Sequence, residues 1–409
     1  MKPHGPIPQG FAADGGGMLL IGGMRADALA EAAGDTPLFV YDSAMLTARV
    51  AEWRAAMPAE VQLHYAMKAN PYAPLLVHMA GQVDGLDVAS GGELKAALAS
   101  GMAAEHISFA GPGKRDRELE AAIRAGATLN LESTGEATRA LAISVRIGVT
   151  PRLAVRVNPD FDLKGSGMKM GGGAKPFGVD AGEVPALVRR LLDMGADWRG
   201  FHIFAGSQAL DAAAIAETQA QTVALAARLA NEIGSTPPLV NLGGGMGVPY
   251  FPGDTGVDAR AVGAALGETL ASRDPVLADS CFAMELGRWL VAEAGVYLTR
   301  IVDRKTSHGE TFLVTDGGLH HQLAASGNFG TVIRRNYPIA VAGRFGAETA
   351  ETVTVVGCLC TPLDRLGDQV ALPRADVGDL VAIFQAGAYG ATASPSAFLG
   401  QGPAREMLV

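Results

Sequence analysis

A chain of 409 residues, 48% hydrophobic and 18% charged, can bury a core large enough for two or three domains, or for one barrel with a companion, and this excludes a disordered protein. Its net charge of -9 comes without long acidic runs and speaks against nucleic acid or an anionic membrane surface as the main partner. Three cysteines, Cys281, Cys358 and Cys360, are too few for a disulfide framework in so long a chain, so the expected compartment is the reducing cytoplasm.

Residues 1–17 are rich in Gly and Pro, and the apolar run 18–21 is too short for a signal-peptide core or a membrane span. Residues 1–36 are expected to pack on a later β domain. A short strand follows at 37–41, expected at a junction between domains, and Asp42 or Ser43 can cap a helix running through Trp53. Strand-like runs then recur at 61–68, 85–89, 107–110, 128–132, 153–158, 200–204, 239–242 and 281–285. Helical spacing fills the gaps, for example at 93–100, 117–125, 184–194 and 211–232. Strict alternation implies parallel pairing; an open doubly wound sheet is the alternative, and the count of eight favours a closed (β/α)8 barrel over 37–288. Past that point, runs rich in β-branched residues at 296–302, 310–315, 340–341, 351–357 and 379–383 predict a mostly antiparallel β domain over 289–409. The Gly-rich stretch 165–173 reads as a mobile loop.

In such a barrel the working residues stand where strands end. Lys68 closes the first strand; burial there would lower its pKa, and a neutral amine forms a Schiff base with a carbonyl such as that of pyridoxal 5'-phosphate (PLP). The alternative is a lysine that snorkels to solvent. The run 243–245 offers backbone N–H groups to a phosphate, or simply makes a tight turn, and Ser207 beside Gly206 offers a hydroxyl to the same group. Glu285 could hold a pyridine nitrogen protonated, and Arg288 could grip a phosphate or carboxylate; as isolated features they would more often form a surface ion pair. Cys358 with Cys360, and His320 with His321 and Asp316, lack metal-site spacing, so no metal is expected.

Taken together, residues 65–70, 87–93, 156–159, 206–208, 243–245 and 285–288, with Cys360 and 388–390, resemble the fold-type III PLP decarboxylases, the diaminopimelate/ornithine decarboxylase family. The resemblance implies an alanine racemase-like PLP barrel plus a β domain. It also implies that Lys68 carries the cofactor, that Ser207, Gly244, Gly245, Arg288 and Tyr389 hold its phosphate, that Gly287 belongs to the cofactor site, and that Glu285 pairs with the ring nitrogen. Asp87 and Arg156 fall at family positions near the ring. Two subunits share each site in that family, and the cysteine matching Cys360 reaches in from the partner to protonate the α-carbon, so a homodimer is implied. A racemase on the same barrel would place an arginine at the ring nitrogen; Glu285 favours decarboxylation instead.

The departures concern the substrate. Phe204 replaces a histidine that stacks on the ring, and Leu286 replaces a proline. Thr361 replaces the carboxylate that grips a distal ammonium, and residues 322–328 lack the Arg and Tyr that bind the distal end of diaminopimelate. With Asp364, the stretch 357–364 is similar to a subgroup found with exosortase A systems and to decarboxylases acting on carrier-protein-bound glutamyl groups. The expected activity is decarboxylation of an amino acid, or of an aminoacyl group on an acyl carrier protein, lacking a distal ammonium, with Arg288, Thr361, Asp364 and Tyr389 facing the substrate. Alternatives are diaminopimelate decarboxylation proper, racemisation, or a non-catalytic regulatory relative; retention of Lys68, Glu285 and Cys360 speaks against the last.

Overall fold

The computed structural model describes residues 1–327 and 334–409, which form two units. One comprises residues 50–247 and 256–287; the other comprises residues 1–49, 248–255 and 288–409.

The first unit is the barrel. Its strands are β1 (Val61–Ala66), β2 (Gly85–Val88), β3 (Ile107–Phe109), β4 (Thr128–Leu131), β5 (Arg152–Asn158), β6 (Asp197–Ile203), β7 (Leu239–Asn241) and β8 (Cys281–Leu286). Each pairs in parallel with the next, and β8 pairs with β1 to close the ring. The eight expected strands are therefore present, with ends moved by a few residues. One shift matters for chemistry: β1 stops at Ala66, and Lys68 lies in a single 3-10 turn, Met67–Ala69.

The strand sequences explain the closure. In β5 one parity is apolar (Leu153, Val155, Val157) and the other largely polar (Arg152, Arg156, Asn158). Polar side chains of the second kind meet across strands, Arg156 with Glu132, His202 with Glu285 and Asn130 with Ser108, which places that parity inside the barrel. The apolar parity is left for the helices. Helix Val184–Asp193 shows the matching stripe, burying Val184, Leu187, Val188 and Leu191 at helical spacing. Within the stretch 165–173, Met168–Lys169 pairs antiparallel with Gly206–Ser207, and the N–H groups of Met170 and Gly171 donate to Ala205 O.

The second unit is a mixed sheet in which antiparallel pairs predominate. Its longest strand, Gly295–Ser307, pairs antiparallel with Glu310–Thr315, Leu380–Phe384 and Leu38–Tyr41. The sequence reading missed Arg365–Leu372, and also Arg405–Leu408, which pairs in parallel with Leu38–Tyr41. That register draws residues 37–49 into the β unit rather than into a barrel domain spanning 37–288. Asp42 caps the helix Ser43–Ala56, its carboxylate accepting from the N–H groups of Ala44 and Met45. From the N-terminal segment, Leu19, Ile21 and Leu29 are fully buried in one cluster with Val296, Leu298 and Phe384. No helix among the described residues is long and apolar enough to cross a membrane.

Between β6 and β7 the barrel leaves no room for a side chain at one position. Gly200 has φ +105°, and a Cβ there would fall 1.9 Å from Leu239 O, beside a register shift at Trp198. Gly200→Ala is expected to destabilise the protein by roughly 2–4 kcal/mol through backbone strain and a main-chain clash. Urea unfolding followed by far-UV circular dichroism checks this, and an unchanged midpoint would show that the two strands are not held at this distance.

Candidate active site

At the carboxyl ends of the barrel strands, Glu285 is the centre of a charged group. Its side chain is 5% exposed; one carboxylate oxygen lies 3.4 Å from Lys68 Nζ and the other 2.9 Å from His202 Nε2. Burial alone would raise the Glu285 pKa, but the charge of Lys68, the His202 hydrogen bond and the charge of Arg156 outweigh it and hold the carboxyl far below the usual range. Glu285 is therefore an ionised carboxylate, and His202 Nε2–H donates to it. The other ring nitrogen of His202 is buried with no hydrogen-bond partner among the described residues.

Lys68 is not desolvated as the sequence suggested. Its side chain is 46% exposed, while its neighbours Met67 and Ala69 are buried. Its ammonium stands 5.6 Å from the Phe204 ring centroid, so Lys68, Glu285 and Phe204 stand close together. The glycines following β7 make this possible. Gly243 O accepts from Glu285 N–H at 2.8 Å, and a Cβ on Gly244 would lie 2.0 Å from Glu285 O. The last turn of β7 thus lies against β8, an approach that only glycine permits. Gly287 does the same beneath Lys68, where an added Cβ would meet Ala66 O at 3.0 Å.

Asp87 lies 3.6 Å from His64 Nδ1, both being buried. Burial opposes protonation of His64, yet Asp87, with Glu285 and Asp84 farther off, raises its pKa above the ordinary value. Arg156 donates to Glu132 at 2.8 Å and lies 5.1 Å from the Phe177 ring. Glu132 also accepts from the N–H groups of Gly111 and Gly178, and nearby Lys114 and Glu136, 1% and 2% exposed, pair at 2.8 Å. Sequence reasoning missed this supporting set. His202 was legible, since it shares strand parity with Phe204 two residues on. The Lys114–Glu136 pair joins a loop to a separate helix and left no local signal.

In the β unit, Arg288 and Tyr389 lie side by side. The guanidinium stands 4.7 Å from the Tyr389 ring and donates to Tyr250 Oη at 2.9 Å. Its Nε is buried without an acceptor among the described residues, and Tyr389 holds a left-handed φ of 54°. Cys360 is an exposed thiol on the loop between Glu351–Val356 and Arg365–Leu372, with Thr361 half-buried beside it. Asp364, expected to face the substrate, is 2% exposed and engaged elsewhere, its two oxygens accepting from Leu319 N–H at 2.6 Å and Leu359 N–H at 2.9 Å. It shapes the loop that carries Cys360. Gln322 is fully buried, and neither end of its amide has a hydrogen-bond partner among the described residues. Asn328, the last position of that stretch, lies outside the described residues.

The pyridoxal-binding domain of the pyridoxal-dependent decarboxylases matches residues 43–292, more than half of the chain. The chain belongs to that family. It is 36% identical over 380 residues to the L-glutamyl-[BtrI acyl-carrier protein] decarboxylase of Niallia circulans, covering 91% of this chain and 89% of that protein. The diaminopimelate decarboxylase of Archaeoglobus fulgidus is 30% identical over 396 residues, covering 96% and 92%. Among solved structures, the diaminopimelate decarboxylase of M. jannaschii in complex with L-lysine superposes with a TM-score of 0.89 at 26% identity, covering 98% of this chain and 93% of that one.

This chain is thus a PLP-dependent decarboxylase with an alanine racemase-like barrel. Its barrel end fits the cofactor group by group: an amine for the aldehyde, an ionised carboxylate for the ring nitrogen, an aromatic ring for a face of the pyridine, and a side-chain-free turn for the phosphate. No group of three or more His, Cys, Asp or Glu among the described residues is placed to hold a metal.

A hydrogen bond to a buried charge contributes about 1.5–3 kcal/mol. Replacing His202 by Leu is therefore expected to lower kcat by roughly ten- to a hundred-fold. His202→Gln, which keeps a donor, should lose much less. Steady-state CO2 release with PLP saturating checks this, and equal losses for the two variants would contradict a hydrogen-bonding role.

Proposed function

We propose that the enzyme removes the α-carboxylate of an amino acid, or of an aminoacyl group carried on an acyl carrier protein, whose far end bears no ammonium. The observation that carries this reading is the loop 357–364. Thr361 follows Cys360 at the position where the family resemblance implies a carboxylate, and the one carboxylate of the loop, Asp364, is spent on two backbone N–H groups. A distal ammonium would find no anionic partner on this loop, and a cation stripped of water without one is strongly disfavoured. The likeness to a decarboxylase of carrier-bound glutamyl groups supports the same choice.

When bound, PLP supplies a ring that takes up the electron pair freed as the carboxylate leaves as CO2. The chain's residues arrange the rest. Lys68 presents the amine that meets the cofactor's aldehyde, and Glu285, clamped by His202, keeps a proton on the ring nitrogen. Phe204 covers a ring face in place of histidine. Gly244, Gly245 and Ser207 are the proposed phosphate contacts in the barrel unit, with Gly287 beneath Lys68 and Asp87 and Arg156 bordering the ring. In the β unit, Arg288 and Tyr389 form an anion-binding pair. Cys360 returns a proton to the α-carbon. As the family resemblance implies, it does so for a second copy of the chain, and its exposure suits that role. The proposal therefore includes a homodimer.

The test is CO2 release from PLP-loaded enzyme offered glutamyl-carrier protein, free glutamate, diaminopimelate and ornithine. A panel member without a distal ammonium is expected to show kcat/KM at least about a hundred-fold above diaminopimelate and ornithine. Efficient turnover of free diaminopimelate would overturn the reading.

A further inference from the structure

The opposite end of the barrel holds a second concave site. At the amino-terminal ends of the strands lies a cavity of about 330 Å³, lined among others by Ser108, Asn130, Arg152, Arg199, Asn241 and Cys281. Parallel pairing puts these strand starts at the far end from Lys68 and Glu285, which stand at strand exits.

Two arginines here are short of acceptors. Arg152 and Arg199 share a single carboxylate, Asp197, at 3.7 and 3.5 Å, long for a hydrogen bond in either case. Arg152 makes one further long contact, 3.4 Å to Glu105 O, and its Nε is buried with no acceptor among the described residues. Burial, and then the neighbouring Arg199 charge, lower the Arg152 pKa, the direction expected when cations crowd without enough counter-charge. Glu105 and His106, also on the rim, are 65% and 52% exposed and pair with each other at 3.7 Å. The neutral lining supplies donors. Ser108 Oγ accepts from Asn130 Nδ2 at 2.6 Å, which frees its hydroxyl hydrogen to donate. The Asn241 amide oxygen is taken by Gly243 N–H, leaving its NH2 as a donor.

We propose that this cavity binds a small oxyanion, the carboxylate or phosphate of a metabolite, at a site separate from the decarboxylation centre. The carboxylates near the two guanidiniums, Asp197 and the exposed Glu105, do not engage them at close range, so the Arg152 Nε–H stays without an acceptor among the described residues beside several hydrogen-bond donors. A planar or tetrahedral oxyanion matches that set with charge-assisted bonds. The volume lies at the small end of the range of ligand pockets and suits a small metabolite.

Cys281 provides the reporter, because it lines this cavity and is exposed. PLP-loaded enzyme, whose cofactor phosphate site is already filled, is treated with iodoacetamide, and alkylation of Cys281 and Cys360 is followed by peptide mass spectrometry. The additions are sodium phosphate, sodium malonate, or sodium chloride at matched ionic strength. Phosphate or malonate is expected to slow Cys281 alkylation at least about three-fold relative to chloride, as a ligand at a few times its Kd would, and to leave Cys360 unchanged. The more protective anion identifies whether phosphoryl or carboxylate chemistry is preferred. Arg199→Gln, and independently Arg152→Gln, should abolish the protection. The proposal fails if neither anion protects beyond chloride, or if protection survives both substitutions.

Discussion

A carboxylate sealed inside a barrel is the constraint on which the rest of this enzyme depends. Desolvation pushes the Glu285 pKa up, toward a neutral acid that could not hold a proton on a pyridine nitrogen. Lys68 and His202 reverse that outcome from opposite oxygens, Lys68 from the 3-10 turn that follows β1 and His202 from β6. Glu285 pairs with His64 on β1, two turns of the pleat before Lys68, while β7 separates β8 from the strand that bears His202. The glycines after β7 complete the arrangement by letting the chain pass against the Glu285 main chain.

Charge neutrality recurs one strand pair away. Arg156 and Glu132, then Lys114 and Glu136, form two nearly water-free pairs of opposite sign. Isolated buried ion pairs are poor stabilisers, since desolvation consumes most of the attraction. Here they fix the direction of Arg156, whose charge also acts on Glu285. Backbone N–H donors from Gly111 and Gly178 satisfy what remains of Glu132.

Much of this was legible in the sequence because barrels have a strong local grammar. Strand periodicity gave all eight strands within a few residues, and family motifs brought Lys68, Glu285 and Phe204 to one place. What escaped was non-local. Arg405–Leu408 is short, with no alternation of its own, and becomes a strand only beside Leu38–Tyr41. The glycine-rich stretch 165–173 carries a loop's composition, yet Met168–Lys169 within it pairs with Gly206–Ser207, and main-chain pairing leaves no trace in side-chain type. Asp364 misled for a related reason: its residue type suits a substrate ligand, but two N–H groups distant in sequence or hidden in a turn claim it first. Lys68 escapes burial because β1 ends two residues early, so its reactivity rests on position against Glu285 rather than on desolvation.

The central claim is that the ionised Glu285 makes this barrel a decarboxylase. The most direct measurement compares Glu285→Gln with the wild-type enzyme in single-turnover CO2 release, with PLP affinity determined separately by titration. The account predicts CO2 release slowed by about a hundred-fold or more, since a buried charge contact worth several kcal/mol at the reacting ring is lost, while the variant still binds PLP through Lys68. Wild-type CO2 release from a PLP-loaded Glu285→Gln enzyme would contradict it.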